Sequence, residues 1–257
     1  MTDKTRIHVI NYLNKGIRYD GRKNDVYRDI TVETNISKSA EGSARVKIGD
    51  TDVMAGIKFE VGQPYPDIPE EGTMMVNTEL IPMSNPEFES GPPSIQAIEL
   101  SRVVDRGIRE SKAFDTKKLC IKKGELVWTV IIDLVPINDA GNLFDACALA
   151  AMLAVKQAKF PKLVGDKIDY KTLTNKKLPL NVEPVSITVL KIGEHFIVDP
   201  ITEEEKVMDA RLTVALLKDN TICAMQKGGE QPLSEKDIEK MIDIATEKAK
   251  ELRKYLK

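Results

Sequence analysis

At 257 residues the chain is long enough to bury a core without help from disulfides or metals. Hydrophobic residues make up 42% of it and charged residues 30%, the balance of an ordinary globular protein. A net charge of −2 excludes a free-standing polycation, so any nucleic-acid contact has to come from a local cluster of Arg or Lys.

Cys120, Cys147 and Cys223 form no Cys-x-x-Cys pair, which argues against zinc or thiol redox chemistry. Their apolar neighbours predict three reduced core residues. The amino-terminal segment lacks an uninterrupted apolar stretch followed by a small-residue cleavage site, and no run of about 18 apolar residues occurs. A cytoplasmic protein without a membrane span is the expectation.

Residues 3–13 carry spaced Ile7, Val9, Ile10 and Leu13, consistent with a short helix that packs on a sheet or a neighbour. Strands are predicted over 30–36, 44–48, 51–59 and 74–80, with Gly49-Asp50 as a tight turn. In the second of these, Val46 and Ile48 fall on one face and Arg45 and Lys47 on the other. Pro-rich loops separate the later strands. Pro93-Ser94 opens a helix over 95–112 whose Ala97, Ile98, Leu100, Val104 and Ile108 recur at three- and four-residue spacing. A strand ending at Ile121 and a buried-type strand over 126–136 lead into an almost wholly apolar helix over 143–158, which must be covered on every face. Residues 161–180 read as a long polar connector. Strands over 185–192, 195–198, 210–217 and 221–226 follow, and a closing helix starts at the capping box Ser234/Asp237 with Ile238, Met241, Ile242, Ala245 and Leu252 on one side. Consecutive hairpins imply antiparallel pairing, so the order of elements favours an α+β architecture over a doubly wound sheet.

Three places could carry chemistry. Arg102, Arg106 and Arg109 lie within roughly 60° of one another on a helix, a comb of forked donors suited to successive phosphates. The same spacing sets Asp105 four residues before Arg109 and Arg106 four before Glu110, so a self-paired salt-bridge face is equally open. Gly141-Asn142 at a helix start could bare backbone amides to an anion, but Leu143 and Phe144 follow where side-chain donors would be needed, so a plain strand-to-helix turn is expected. The acidic run Asp199, Glu203, Glu204 and Glu205, with Asp209 beyond, reads as a solvated turn, although clustered carboxylates can also hold an ion. His8 and His195 sit near no triad-like motif, and neither a phosphate loop nor a dinucleotide fingerprint is present.

Taken together, Arg18-Tyr-Asp20-Gly21-Arg22, Ala40-Glu-Gly-Ser-Ala44, Val76-Asn-Thr-Glu-Leu80, Ser90-Gly-Pro-Pro93, Arg102-Val-Val-Asp-Arg-Gly-Ile-Arg-Glu-Ser111, Gly141-Asn-Leu-Phe-Asp145 and Val198-Asp-Pro-Ile-Thr-Glu-Glu-Glu205 resemble, in order, the RNase PH superfamily. Within it they are most similar to the archaeal exosome subunits that lack an active site. The resemblance implies an RNase PH-like α+β fold: a βαβα core followed by a smaller C-terminal α/β half. Its domains would be a helical extension over 1–17, a first domain over 18–180 and a second over 181–257, in one compact unit. It implies a ring of three heterodimers with a catalytic RNase PH-like subunit, RNA-binding cap subunits, single-stranded RNA as ligand, and neither cofactor nor metal. Active members carry Gly-Gly-Thr/Ser-Arg before the buried helix to hold the attacking phosphate, where this chain has Gly141-Asn142-Leu143. Losing one charged donor there would cost roughly 2–5 kcal/mol. Active members also carry an acidic catalytic residue in the region of Asp209. The resemblance therefore implies no catalytic residues here, and it favours Arg102, Arg106 and Arg109 as RNA-phosphate ligands. The competing readings are an active phosphorolytic 3′–5′ exoribonuclease and a scaffold that touches only protein.

Overall fold

A computed structural model describes residues 2–257, with side chains from residue 4 onward. The chain opens with α1 (Thr2–Leu13) and then builds a mixed sheet from β1 (Ile30–Thr34), β2 (Gly42–Ile48), β3 (Thr51–Gly62) and β4 (Thr73–Thr78). After α2 (Ile95–Glu110) the sheet is completed by β5 (Cys120–Lys122) and β6 (Leu126–Asn138). Strand order is β1-β2-β3-β6-β4, with β5 also on β6; all pairs are antiparallel except β4 with β6. α3 (Leu143–Gln157) and the two-stranded ribbon β7 (Lys159–Val164) and β8 (Lys167–Lys177) lead to a second sheet. That sheet contains β9 (Val185–Ile192), β10 (His195–Val198), β11 (Ala210–Leu216) and β12 (Ile222–Gly228), ordered β10-β9-β11-β12 and wholly antiparallel. The short α4 (Thr202–Glu205) sits between β10 and β11, and α5 (Glu235–Leu252) closes the chain. The fold is mixed α+β with a larger N-terminal and a smaller C-terminal sheet, as expected. Among the described residues no helix is long and apolar enough to cross a membrane.

The apolar helix explains the arrangement. α3 packs on β2 and β3 on one side and on β9 on the other, so both sheets share it as a common filling. From Leu143 to Val155 only Phe144 is not buried. Its alanines let backbones come close: a Cβ on Gly42 would lie 2.5 Å from the Ala154 carbonyl oxygen and 2.7 Å from Ala158 Cα. Ala44, Val46 and Ile48 of β2 face the core while Arg45 and Lys47 are only partly covered, which is the alternation read from the sequence. Val9 and Leu13 of α1 seat against Leu190, Ile192, Ile197 and Val207, giving the amino-terminal helix the second sheet as its support.

Several expectations need correction. Residues 161–180 are not a structureless connector, since most of them belong to the ribbon β7–β8. The first strand stops at Thr34 because Asn35 takes φ +57. Ile98 is 46% exposed, and the inward stripe of α2 runs through Ala97, Leu100, Val103, Val104, Gly107 and Ile108 instead. Of the cysteines only Cys147 is in the core; Cys120 on the short β5 and Cys223 on the edge strand β12 are partly exposed, and all three are free. Both helix starts read from the sequence are formed: the Ser94 hydroxyl accepts from the Ala97 amide, and Ser234 and Asp237 cap each other reciprocally.

The tight β2–α3 approach predicts that Gly42→Ala destabilises the protein by about 1–3 kcal/mol through overpacking against backbone that cannot yield. Thermal unfolding would show it as a Tm lowered by several degrees; an unchanged Tm would contradict the packing described.

Candidate nucleic-acid interface and the cleft beside it

On α2 the buried face leaves Arg102, Arg106 and Arg109 together on the outer side, all exposed. They are not equivalent. Arg109 donates to both Asp105 oxygens at 2.9 and 2.7 Å and to the Met74 carbonyl at 2.8 Å. Arg106 has one contact, 3.2 Å to the Gln226 side-chain oxygen, and Arg102 makes no hydrogen bond or ion pair among the described residues. The self-paired face is thus realised at Arg109 alone. Glu99 pairs elsewhere, with Arg211 at 2.7 Å, and Glu110 forms no ion pair within the described residues. Arg102, and Arg106 with its single neutral partner, therefore carry guanidiniums that no carboxylate holds among the described residues.

The acidic run is the largest departure from expectation. It is not a solvated turn: Asp199 and Glu204 are fully buried. Arg18, itself 0% exposed, donates from Nε to Glu204 Oε1 at 2.9 Å, from Nη1 to the Val198 carbonyl at 2.8 Å and from Nη2 to the Asp199 carbonyl at 2.7 Å. Arg22 Nη1 reaches Asp199 Oδ2 at 2.7 Å. Arg28 reaches it at 2.9 Å from Nε and 2.8 Å from its backbone N–H, with Nη2 on Oδ1 at 2.7 Å. The Asn142 side-chain amide supplies a further donor to Oδ1 at 2.9 Å. Burial alone would raise the Asp199 carboxyl, but Arg28 and Asn142 hold it below its ordinary value. The sequence shows each of these residues without showing that they converge.

The strand-to-helix turn at Gly141-Asn142 sits directly on this cluster. Both residues take positive φ, +89 and +60, and a Cβ on Gly141 would lie 2.4 Å from the Pro200 carbonyl oxygen. Thr51 Oγ1 and Arg28 both donate to the Gly141 carbonyl, at 2.6 and 3.1 Å. The Asn142 backbone amide, which a bound anion would need, donates instead to Glu205 Oε1 at 2.9 Å. The turn's amide is therefore satisfied by an acidic side chain of the protein itself.

In front of the turn lies a cleft of about 310 Å³ lined by Glu99, Asp139, Leu143, Phe144, Glu205 and Arg211, among others. Arg211 is its one arginine. It is spent on Glu99, and its guanidinium carbon stands 4.2 Å over the Phe144 ring, in space that exists because Gly228 has no side chain. Its four acidic side chains, Glu87, Glu99, Asp139 and Glu205, outnumber its two cations, and both cations are paired, Arg211 with Glu99 and Lys206 with Glu87, which makes a poor seat for phosphate. Sequence reading missed Arg211 and Gly228, which lie far from the turn in sequence and carry no motif of their own. Asp209 is also committed, accepting from Arg6 at 3.1 Å and from the Gly193 amide at 2.6 Å, so it anchors α1. His195 contacts Asn14 at 2.8 Å, and His8 packs its ring against Tyr12 and Tyr19. Among the described residues no group of three or more His, Cys, Asp or Glu side chains is arranged to hold a metal ion.

Two carboxyls near the turn carry raised pKa values. Burial pushes Glu205 up to about 7, against the pull of the Asn142 amide. Burial also pushes Asp145 up to about 7, although the Tyr27 hydroxyl donates to it at 2.6 Å.

Residues 26–161 match the 3′ exoribonuclease family, domain 1, and residues 183–248 match domain 2 of the same family. The exosome complex component Rrp42 of Methanopyrus kandleri is 43% identical over 254 residues, covering 98% of this chain and 95% of that protein. Among solved structures, a chain of the Archaeoglobus fulgidus exosome with RNA bound to the active site aligns with a TM-score of 0.91 at 43% identity, covering 100% of this chain and 99% of that one. A chain of an archaeal exosome core aligns with a TM-score of 0.86 at 41% identity, covering 99% and 97%.

The raised carboxyls fix the sign of a pH effect. Between the ordinary values, 4.5 for Glu and 3.8 for Asp, and about 7, the folded protein holds protons that the unfolded chain has released. Stability from these groups is complete at acid pH and is lost as pH rises through that window. Glu205→Gln keeps the acceptor for the Asn142 amide and removes one titration, so thermal melts from pH 4.5 to 8 should show a shallower decline than the parent protein. An identical decline in both would refute the assignment.

Proposed function

Since the chain belongs to the 3′ exoribonuclease family and, within it, to the archaeal exosome components of the Rrp42 type, we propose how it contributes to RNA degradation there. It is a non-catalytic component of the exosome. In this reading it sits in the cytoplasm in a ring of three heterodimers with a catalytic RNase PH-like subunit, beneath RNA-binding cap subunits. It contributes the arginines of α2 as contacts for the phosphates of single-stranded RNA on its way to the partner's active site.

The observation that carries the non-catalytic role is the Glu205 carboxylate on the Asn142 amide. Phosphorolysis needs inorganic phosphate held in line with the terminal phosphodiester, and the Asn142 amide at this turn is already taken by Glu205. The side chain that would have to reach over it is the buried, apolar Leu143. Substituting this chain's features for the clamp of active members removes the hydroxyl, the arginine and the free backbone donor together.

The RNA-contact role is supported by the state of the stripe. Among the described residues Arg102 has no partner and Arg106 a single neutral one, so neither has to break an ion pair there to bind phosphate. Arg109 has Asp105 to surrender and contributes less. Contacts of this kind read the backbone rather than the bases and give sequence-independent, salt-sensitive binding.

Two outcomes test the reading. In a ring assembled with the catalytic partner, changing Arg102, Arg106 and Arg109 together to Ala should weaken oligoadenylate binding tenfold or more and lower the slope of log K against log salt by about 2, at about 0.7 per phosphate contact on a single strand. Unchanged affinity and turnover would refute the contact. The purified chain alone, given oligoadenylate and inorganic phosphate, should release no nucleoside diphosphate; release at a rate that scales with this chain's concentration would restore the enzyme reading.

A further inference from the structure

The ribbon β7–β8 is the feature that the proposed function leaves without a role. From Lys159 to Lys177 it carries six lysines against two aspartates, a surplus of four positive charges in a chain whose net charge is −2. Lys162, Lys167, Lys171, Lys176 and Lys177 are exposed and Lys159 partly so. None of the six forms an ion pair among the described residues, while lysines elsewhere, such as Lys58, Lys122, Lys156, Lys191 and Lys206, do. Lys159 stands directly across the ladder from Lys177, a like-charge pairing that costs stability in a sheet. Tyr170, 54% exposed, has the Lys58 ammonium 4.8 Å from its ring centroid, so an aromatic face lies among the cations.

The ribbon is also held firmly. Phe160 at its root packs on Phe59 and Trp128, with centroids 4.7 and 5.4 Å apart, and Thr174 Oγ1 donates across the ladder to the Phe160 carbonyl at 2.7 Å. Past Lys177, back at this root, the chain meets the segment that follows α2, where the Asn181 amide donates to the Ala113 carbonyl at 2.7 Å. Asn181 there lines a groove of about 550 Å³ together with Tyr65, Arg109, Lys112 and Lys117. Only three residues lie between Lys177 and Asn181, a span of at most about 14 Å, so the root of the basic ribbon lies near the end of the arginine helix.

We propose that this lysine ribbon is a second RNA-backbone contact, which extends the phosphate track of α2 outward along the surface and uses Tyr170 as a stacking face. The proposal rests on the RNA-contact reading of the α2 arginines and adds a separate surface to it. Lysines on an exposed two-stranded ribbon also guard its edges against pairing with other chains, but guarding does not require two of them to face each other across the ladder, as Lys159 and Lys177 do. A polyanion accounts for the unbalanced sign. Lysine is depleted from protein interfaces, whereas unpaired lysines with an interleaved aromatic suit single-stranded nucleic acid.

The test uses the full chain assembled with its catalytic partner and a fluorescent oligoadenylate titrated between 50 and 400 mM KCl. Lys162, Lys167, Lys171 and Lys176 are changed together to Gln, and Tyr170→Ala is made separately. The quadruple variant should assemble and melt like the parent, bind at least tenfold more weakly at low salt, and lose about 2–3 from the salt slope. Tyr170→Ala should weaken binding and leave the slope unchanged. If the quadruple variant binds like the parent while the α2 arginine variant does not, the ribbon proposal fails and the RNA-contact reading stands. If neither variant differs from the parent, both fail. If the quadruple variant no longer assembles, the ribbon faces a protein neighbour and the proposal is overturned.

Discussion

Asp199 stands, with φ +47, where three distant stretches of chain meet. Its carboxylate takes donors from Arg22, Arg28 and Asn142, and its carbonyl takes donors from Arg18 and Arg22. A carboxylate taken fully out of water is costly unless its charge and its lone pairs are both answered, and here both are. The second sheet hands this residue to the first sheet through Arg28 and Asn142, and to the segment after α1 through Arg18 and Arg22. Gly141 can approach Pro200 as it does only because the same cluster draws the two segments together. The turn at the start of α3, the short helix α4 and the seat of the amino-terminal segment are all consequences of that one buried charge.

This dependence changes how a missing active site is understood. Loss of a catalytic side chain leaves a hole that a later substitution could refill. Here the place is occupied. Glu205 comes from α4, whose position is set by the Arg18–Glu204 pair, and it holds the Asn142 backbone amide. Arg211 is sandwiched between Glu99 and Phe144, and Lys206 is paired with Glu87. Reinstating an arginine at 143 alone would set a cation beside a cleft whose amide is already used. The inactive state is a packed arrangement with several mutually supporting members.

Much of the fold was legible because its elements obey strong periodicities. The all-apolar run of α3 announced burial on every side, and the cap at Ser94 and the capping box at Ser234 marked two helix starts. The ribbon β7–β8 escaped because both its faces are largely polar beyond Phe160 and Pro161, so no inside-out alternation signals a strand. Ile98 was misplaced because spacing cannot tell the edge of an apolar stripe from its centre. The site was legible in its exposed part and hidden in its buried part. Three arginines on one helical face follow from spacing alone. Four carboxylates in a short run look hydrophilic until the partners of Asp199 and Glu204 are known, and the arginines among those partners lie more than 170 residues earlier. Local pattern cannot reveal that a charge will be buried by something so far away.

The same separation has a consequence for how the protein is made. Arg18 emerges from the ribosome long before Val198, Asp199 and Glu204 exist. At about 5–20 residues per second, that guanidinium waits on the order of 10–40 s for its partners. β1, β2, β3 and β6 can pair during that interval, but α3 lacks β9 on its other side and the amino-terminal segment has nothing to grip. The nascent chain must therefore hold a half-covered apolar helix in reserve until β9 and residues 198–204 arrive, and the locking of the molecule waits for them.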